Sequence, residues 1–141
     1  MRIRKINLLL LSAILLASLA MPGCQLLPFG KVKITEMKTA PSLSEDYMPV
    51  GATDTFPSGT QKVYCWFSWH NAEANTQIVA KWRYVSQNIS IINHTFTLPR
   101  REGSGSVLLT MPEGKTLPSG SYRIDMVMDK RVIRSYKFKI E

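Results

Sequence analysis

Two cysteines and two histidines in 141 residues leave few options for catalysis. Nucleophilic chemistry needs a base within hydrogen-bond reach of the nucleophile. His70 lies five positions after Cys65, on the opposite face if both share one strand, and His94 falls in a different segment. A zinc site takes three or four ligands, and Cys65, His70 and His94 show no close ligand spacing. Asp54, Glu73, Asp125 and Asp129 are scattered without a spacing that pairs them. A phosphate-cradling glycine loop is missing too, because Gly103-Ser104-Gly105 runs into a strand-like segment rather than a helix. We therefore expect no enzyme, no cofactor and no metal. Long apolar runs are equally scarce. The one such run, residues 6–20, has fifteen residues, short for a membrane-spanning helix.

That run has a context. Arg2, Arg4 and Lys5 precede it and Met21-Pro22-Gly23-Cys24 follows it, the layout of a secretory signal. The small residue before a cysteine at the end of such a run resembles the bacterial lipoprotein signal. The resemblance implies cleavage after residue 23, lipidation of Cys24 and membrane attachment through acyl chains without a spanning helix. Met21 and Pro22 depart from the usual pattern. The small-x-small Ser18-Leu19-Ala20 offers an alternative cleavage point. Gln25 is not the aspartate that resembles an inner-membrane retention signal, so in a two-membrane bacterium the outer membrane, facing the periplasm, is expected. Three of the 18 basic residues leave with the signal, so 15 remain against 10 acidic ones. If Cys24 carries lipid, Cys65 has no partner in an oxidising compartment and should be a buried core residue.

Residues 24–30 form a short tether containing Pro28 and Gly30, and residues 31–141 form one domain. Residues 31–38 alternate basic or polar with apolar side chains, the sign of a strand with one wet face. Residues 39–50 are turn-rich, and a short strand can follow before Pro57-Ser58-Gly59. The organising stretch is 62–84. Its first strand points Val63, Cys65, Phe67 and Trp69 inward, leaving Tyr64 and Trp66 outward, exposed or covered by a neighbouring segment. Its second points Ile78, Ala80, Trp82 and Tyr84 inward, with Lys81 and Arg83 outward. In 88–98 the apolar parity switches, which predicts a bulge or break near Asn93. Further strands are expected at 104–111, 121–128 and 131–140, the last two joined by a tight hairpin at Asp129-Lys130.

Seven or eight short antiparallel strands at roughly 8–12-residue spacing suggest an all-β sandwich. Ala80-Lys81-Trp82-Arg83-Tyr84 resembles the core-tryptophan strand of immunoglobulin-like domains, and Leu117-Pro118-Ser119-Gly120-Ser121-Tyr122 resembles their tyrosine corner. That resemblance implies an immunoglobulin-like β-sandwich in which Cys65 and Ile124 occupy the two disulfide positions, so the bridge is replaced by packing. It also implies that the strands carrying Trp82, Tyr122 and Phe138 share one sheet. With those three inward, Lys81, Arg83, Arg123, Lys137 and Lys139 point outward as a cationic face, interrupted by Asp125 and Ser135.

A lipoprotein signal followed by one such domain is similar to uncharacterised bacterial lipoproteins, which implies nothing about activity. The leading expectation is a non-catalytic cell-envelope lipoprotein acting as a protein-interaction module in an envelope assembly. The cationic face offers an alternative, binding of an anionic envelope glycan or lipid. Tyr64 and Trp66 could serve as a stacking or anchoring pair. Inhibition of an extracytoplasmic protease through the 39–50 and 112–120 loops is a further alternative. Nucleic acid is not an expected partner in that compartment.

Overall fold

The computed structural model describes residues 31–141. The expected signal peptide, the lipidation site Cys24 and the 24–30 tether lie outside the described residues. Seven long strands build two sheets: β1 (Lys33–Ala40), β5 (Lys62–His70), β6 (Gln77–Tyr84), β7 (Ile89–Thr97), β8 (Gly103–Thr110), β9 (Gly120–Met128) and β10 (Arg131–Ile140). Three two-residue strands, β2 (Ser42–Leu43), β3 (Pro49–Val50) and β4 (Thr55–Phe56), complete the set. One sheet has the order β1-β5-β8 and the other β4-β10-β9-β6-β7, while β2 and β3 pair with each other. The long strands pair antiparallel throughout. β4 departs from the expected all-antiparallel pattern by pairing parallel with β10.

Side-chain alternation decides what lies between the sheets. β5 sends in Val63, Cys65, Phe67 and Trp69, all buried. Facing them are Ile78, Ala80 and Trp82 of β6, Tyr122, Ile124 and Met126 of β9, and Phe138 of β10. Trp82 is fully buried, packs edge-on to Phe138 at 6.1 Å between ring centroids, and donates its indole N–H to His94 Nδ1 at 3.2 Å. The polar end of this large apolar ring is thereby satisfied. Phe138 also stacks on Tyr122 at 4.9 Å. Cys65 is a free, buried thiol whose pKa burial pushes up to about 12. Ile124 is likewise buried, so packing stands where the resemblance implied a missing bridge.

The Tyr122 hydroxyl donates to the Pro118 carbonyl at 2.6 Å, so the tyrosine corner is formed. Its pKa rises to about 12, mainly through burial and secondly through the nearby Tyr84 phenol. Gly120, which opens β9, has φ +142°, and a Cβ there would meet Ser86 Oγ at 2.6 Å and the Tyr84 ring at 2.7 Å. Only glycine suits both the conformation and the space. Gly103 answers a similar demand on β8, where a Cβ would come within 2.7 Å of the Trp69 ring. The tripeptide Gly103-Ser104-Gly105 thus belongs to the strand and admits the aromatics of β5. Both central residues of the β9–β10 hairpin have positive φ, 49° for Asp129 and 63° for Lys130, as a type I′ turn requires. That geometry normally selects asparagine or glycine, and here the register of the two long strands imposes it on aspartate and lysine.

One expectation is met and one needs correction. The irregularity expected near Asn93 is a bulge in β7. The register passes from Trp82 opposite Ile92 to Arg83 opposite Ser90, which makes Ile91 the extra residue. Trp66, though its parity points outward, is buried, with 6% of its surface exposed.

Candidate functional site

Three parts of the surface bear on function, and each follows from where the sheet order ends or which face a strand presents. The first is the outer face of the three-stranded sheet. Trp66 sits there between Lys38 of β1 and Ser106 of β8. The Lys38 ammonium lies over the Trp66 ring, 5.9 Å from its centroid, and pairs with Glu36 at 2.6 Å. Ala40, the next outward residue of β1, is fully buried as well. Trp66 is therefore covered and unable to stack on a ligand, and its indole nitrogen is buried without a hydrogen-bond partner. Tyr64 is half-buried, with the Lys62 ammonium 5.8 Å from its ring centroid. The lysine stems fold down over apolar rings and keep their charges in water.

The second part is the outer face of the larger sheet. β10, β9 and β6 are neighbours, so Lys137, Arg123 and Arg83 stand directly opposite one another in a single cross-strand row. The next row holds Ser135, Asp125 and Lys81, and Lys139 stands opposite Ser121. All five cations read from the sequence share this face. Like charges directly opposite each other in a sheet are unfavourable, and the compensation is local. Asp125 accepts from Arg123 Nε at 2.9 Å and from Ser135 Oγ at 2.6 Å. Its side chain is 8% exposed, against 35% for Arg123. Arg83 donates from Nη2 to Asn88 Oδ1; Asn88 adopts a left-handed conformation at the end of the single-turn helix Val85–Gln87. Three ion pairs occur among the described residues, and none involves Lys81, Arg83, Lys137 or Lys139.

Arg123 divides this face into two shallow depressions. One, of about 410 Å³, is bordered by Lys137, Lys139, Ser121 and Asp54. The other, of about 340 Å³, is bordered by Lys81, Arg83, Asn93 and Lys130. Lys130 is a contributor that sequence reading missed, because a turn residue has no predictable face.

The third part is β7, which ends the larger sheet. Its nine residues, Ile-Ser-Ile-Ile-Asn-His-Thr-Phe-Thr, include no acidic or basic residue other than a histidine. Ile89, Ile91 and Ile92 are 46%, 38% and 44% exposed. Ile92 stands opposite inward-facing Trp82, so even the inner side of this strand overhangs the smaller sheet. At its far end Phe96 turns in and meets Phe67 of β5 at 5.1 Å. A further exposed apolar group is carried by the β2–β3 hairpin, where Tyr47, with positive φ, and Met48 project from the tip. Sequence reading missed both, since the isoleucines of an edge strand read like those of a central one.

Among the described residues no three His, Cys, Asp or Glu side chains converge as metal ligands, and no helix is long and apolar enough to cross a membrane. His70 is exposed and pairs with Glu102 at 3.0 Å.

Comparison with solved structures bears on the fold. An immunoglobulin-like protein from Pseudomonas aeruginosa superposes with a TM-score of 0.54 at 10% identity, covering 81% of this chain and 99% of that one. The chain has an immunoglobulin-like fold. The alkylpurine DNA glycosylase AlkC of Pseudomonas fluorescens, solved bound to DNA containing an abasic-site analogue, matches with a TM-score of 0.50 at 14% identity. The match covers 79% of this chain and 31% of that protein. At such identities the likeness concerns the fold alone. No protein-family model matches the sequence, and no curated protein matches it.

Proposed function

We propose that this chain is a non-catalytic cell-envelope lipoprotein, anchored through Cys24, that binds a protein partner in an envelope assembly by strand addition at β7. In a two-membrane bacterium it faces the periplasm from the outer membrane. The observation that carries the reading is the character of β7. Proteins normally protect a long sheet edge with charges, proline or a covering segment. Here a nine-residue edge strand carries no lysine, arginine, acid or proline and exposes three isoleucines, its one interruption being the bulge at Ile91. An extended partner segment would pair with the free backbone groups of β7 and lay apolar side chains against Ile89 and Ile92. On the opposite edge the parallel strand β4 pairs with Lys139 and Ile140 at the end of β10, and the rest of that strand carries Arg131, Arg134 and Lys137, charges of the kind that protect an edge.

The test is crosslinking in intact cells followed by affinity purification of the full-length protein, with Cys24→Ser and Ile92→Lys forms alongside. Ile92 is half in solvent, so a lysine there leaves the core intact while placing a charge on the edge. Recovery of a discrete protein that is lost in both variants is the expected outcome. A partner retained by Ile92→Lys would eliminate strand addition at β7, and recovery of nothing but lipid or polymer would eliminate the assembly role. A second reading, binding of an anionic envelope component, draws its support from the cationic row.

A further inference from the structure

We propose that the outer face of β6, β9 and β10 is a binding surface for the phosphate groups of anionic lipid headgroups, with Arg123 at its centre. The row Lys137–Arg123–Arg83 spans three adjacent strands, so its charges recur at about 4.8 Å, the spacing between neighbouring strands. A solvated sheet face needs charge to stay soluble, but it does not need three cations of one sign directly opposite each other, an arrangement that costs stability.

The arginines are also oriented. Asp125 holds Arg123 by Nε, which leaves the Nη groups of that guanidinium for a ligand. Asn88 holds Arg83 by a single Nη. Asp125 is itself fixed by Ser135 and shielded from water. An arginine whose fork is set in advance loses less freedom when it grips an oxyanion, and the guanidinium matches a phosphate through paired N–H donors. The depressions on either side of Arg123 each bring further cations, Lys139 in one and Lys81 and Lys130 in the other. The face is open and broadly flat, which suits an array of headgroups in a surface better than a single enclosed small molecule. Charge complementarity with an anionic leaflet is the attraction. This inference relies on the envelope reading only for where such lipids are met. The measurement below uses lipid alone, so loss of a protein partner and loss of this site are separate outcomes.

The experiment titrates the full-length protein in neutral detergent with short-chain phosphatidylglycerol, short-chain phosphatidylcholine and tripolyphosphate. Saturable binding of phosphatidylglycerol over phosphatidylcholine is expected, weakening about tenfold in Arg123→Gln, as the loss of one charge-assisted contact predicts. Because Arg123→Gln leaves Asp125 without its cation, the double change Arg83→Gln/Lys137→Gln, which spares that pair, is measured beside it and should weaken binding at least as much. Lys33→Gln and Lys115→Gln, elsewhere on the surface, should not change it. Asp125→Ala gives a reading that net charge alone would not: removing an acidic group should strengthen plain electrostatic attraction, whereas loss of the Arg123 orientation weakens binding. Equal losses in all lysine and arginine variants would overturn the site. Tripolyphosphate binding without phosphatidylglycerol binding would overturn the headgroup assignment in favour of a soluble polyanion, and equal affinity for phosphatidylcholine would overturn both.

Discussion

The two outer faces of this sandwich use their cations in opposite ways. On the three-stranded sheet, Lys38 and Lys62 lie over Trp66 and Tyr64, and Lys38 is paired with Glu36. Their stems act as cover for aromatic surface that would otherwise meet water. On the five-stranded sheet, lysines flank a row of arginines that are braced from the side by Asp125 and Asn88, and no aromatic ring lies beneath them among the cation–π contacts observed. One face is closed by its own charges and the other displays them. Sign and number of charges alone would not distinguish the two; what differs is whether the residue directly opposite an outward lysine is a tryptophan, as for Lys38, or another cation, as for Lys137.

Both faces rest on one core, which sets the largest expected effect. Trp82→Ala should cost about 3–5 kcal/mol, read as a lower midpoint in chemical denaturation, and should weaken the properties of both faces together. A loss confined to one face would break the view that they share a scaffold. Alkaline pH probes the same core through Cys65. Its thiol ordinarily ionises near 9.0 and is pushed up to about 12 by burial. Above about 9 the unfolded chain loses this proton while the folded chain keeps it, so stability falls as pH rises toward 12. Denaturation midpoints from pH 8 upward should therefore decline, and less steeply in Cys65→Ala once its own lower baseline is subtracted. Cys65 should also resist alkylation at neutral pH until denaturant is added, best read in a Cys24→Ser background.

The acidic residues sharpen the contrast further. Asp125→Asn should cost about 1–3 kcal/mol, because a shielded acceptor of a charge-assisted bond is replaced by a neutral one. Glu36→Gln, on the other face, breaks an exposed pair and should cost less than about 1 kcal/mol. Thermal denaturation of the two variants side by side decides it. Equal effects would mean that Asp125 is no more structural than a surface carboxylate.

Much of this was legible before any coordinates. Alternation placed Val63, Cys65, Phe67 and Trp69 inward, because a strand has period two whatever its neighbours do. The same rule put Lys81, Arg83, Arg123, Lys137 and Lys139 outward. The tyrosine corner was legible in Leu117-Pro118-Ser119-Gly120-Ser121-Tyr122 because its hydrogen bond spans only four residues, from Tyr122 to Pro118. Trp66 was not legible in the same way. Its parity was right, but its burial depends on Lys38 of β1, which is separated from β5 in sequence by β2, β3 and β4. The β7 bulge was legible only as an irregularity near Asn93, and its place at Ile91 was not, because a bulge arises where two strands fail to keep step, which is a property of the pair.

The long strands, the faces of the side chains within them and most of the residues that meet in the core follow from local periodicity and from the need to bury large apolar groups. Strand assembly alone makes β7 an edge, sets β4 parallel against the end of β10, and brings Lys137, Arg123 and Arg83 into one row. Each of these depends on which distant strand lies alongside and in what register, and hydrogen bonds between strands set that through contacts no local pattern encodes.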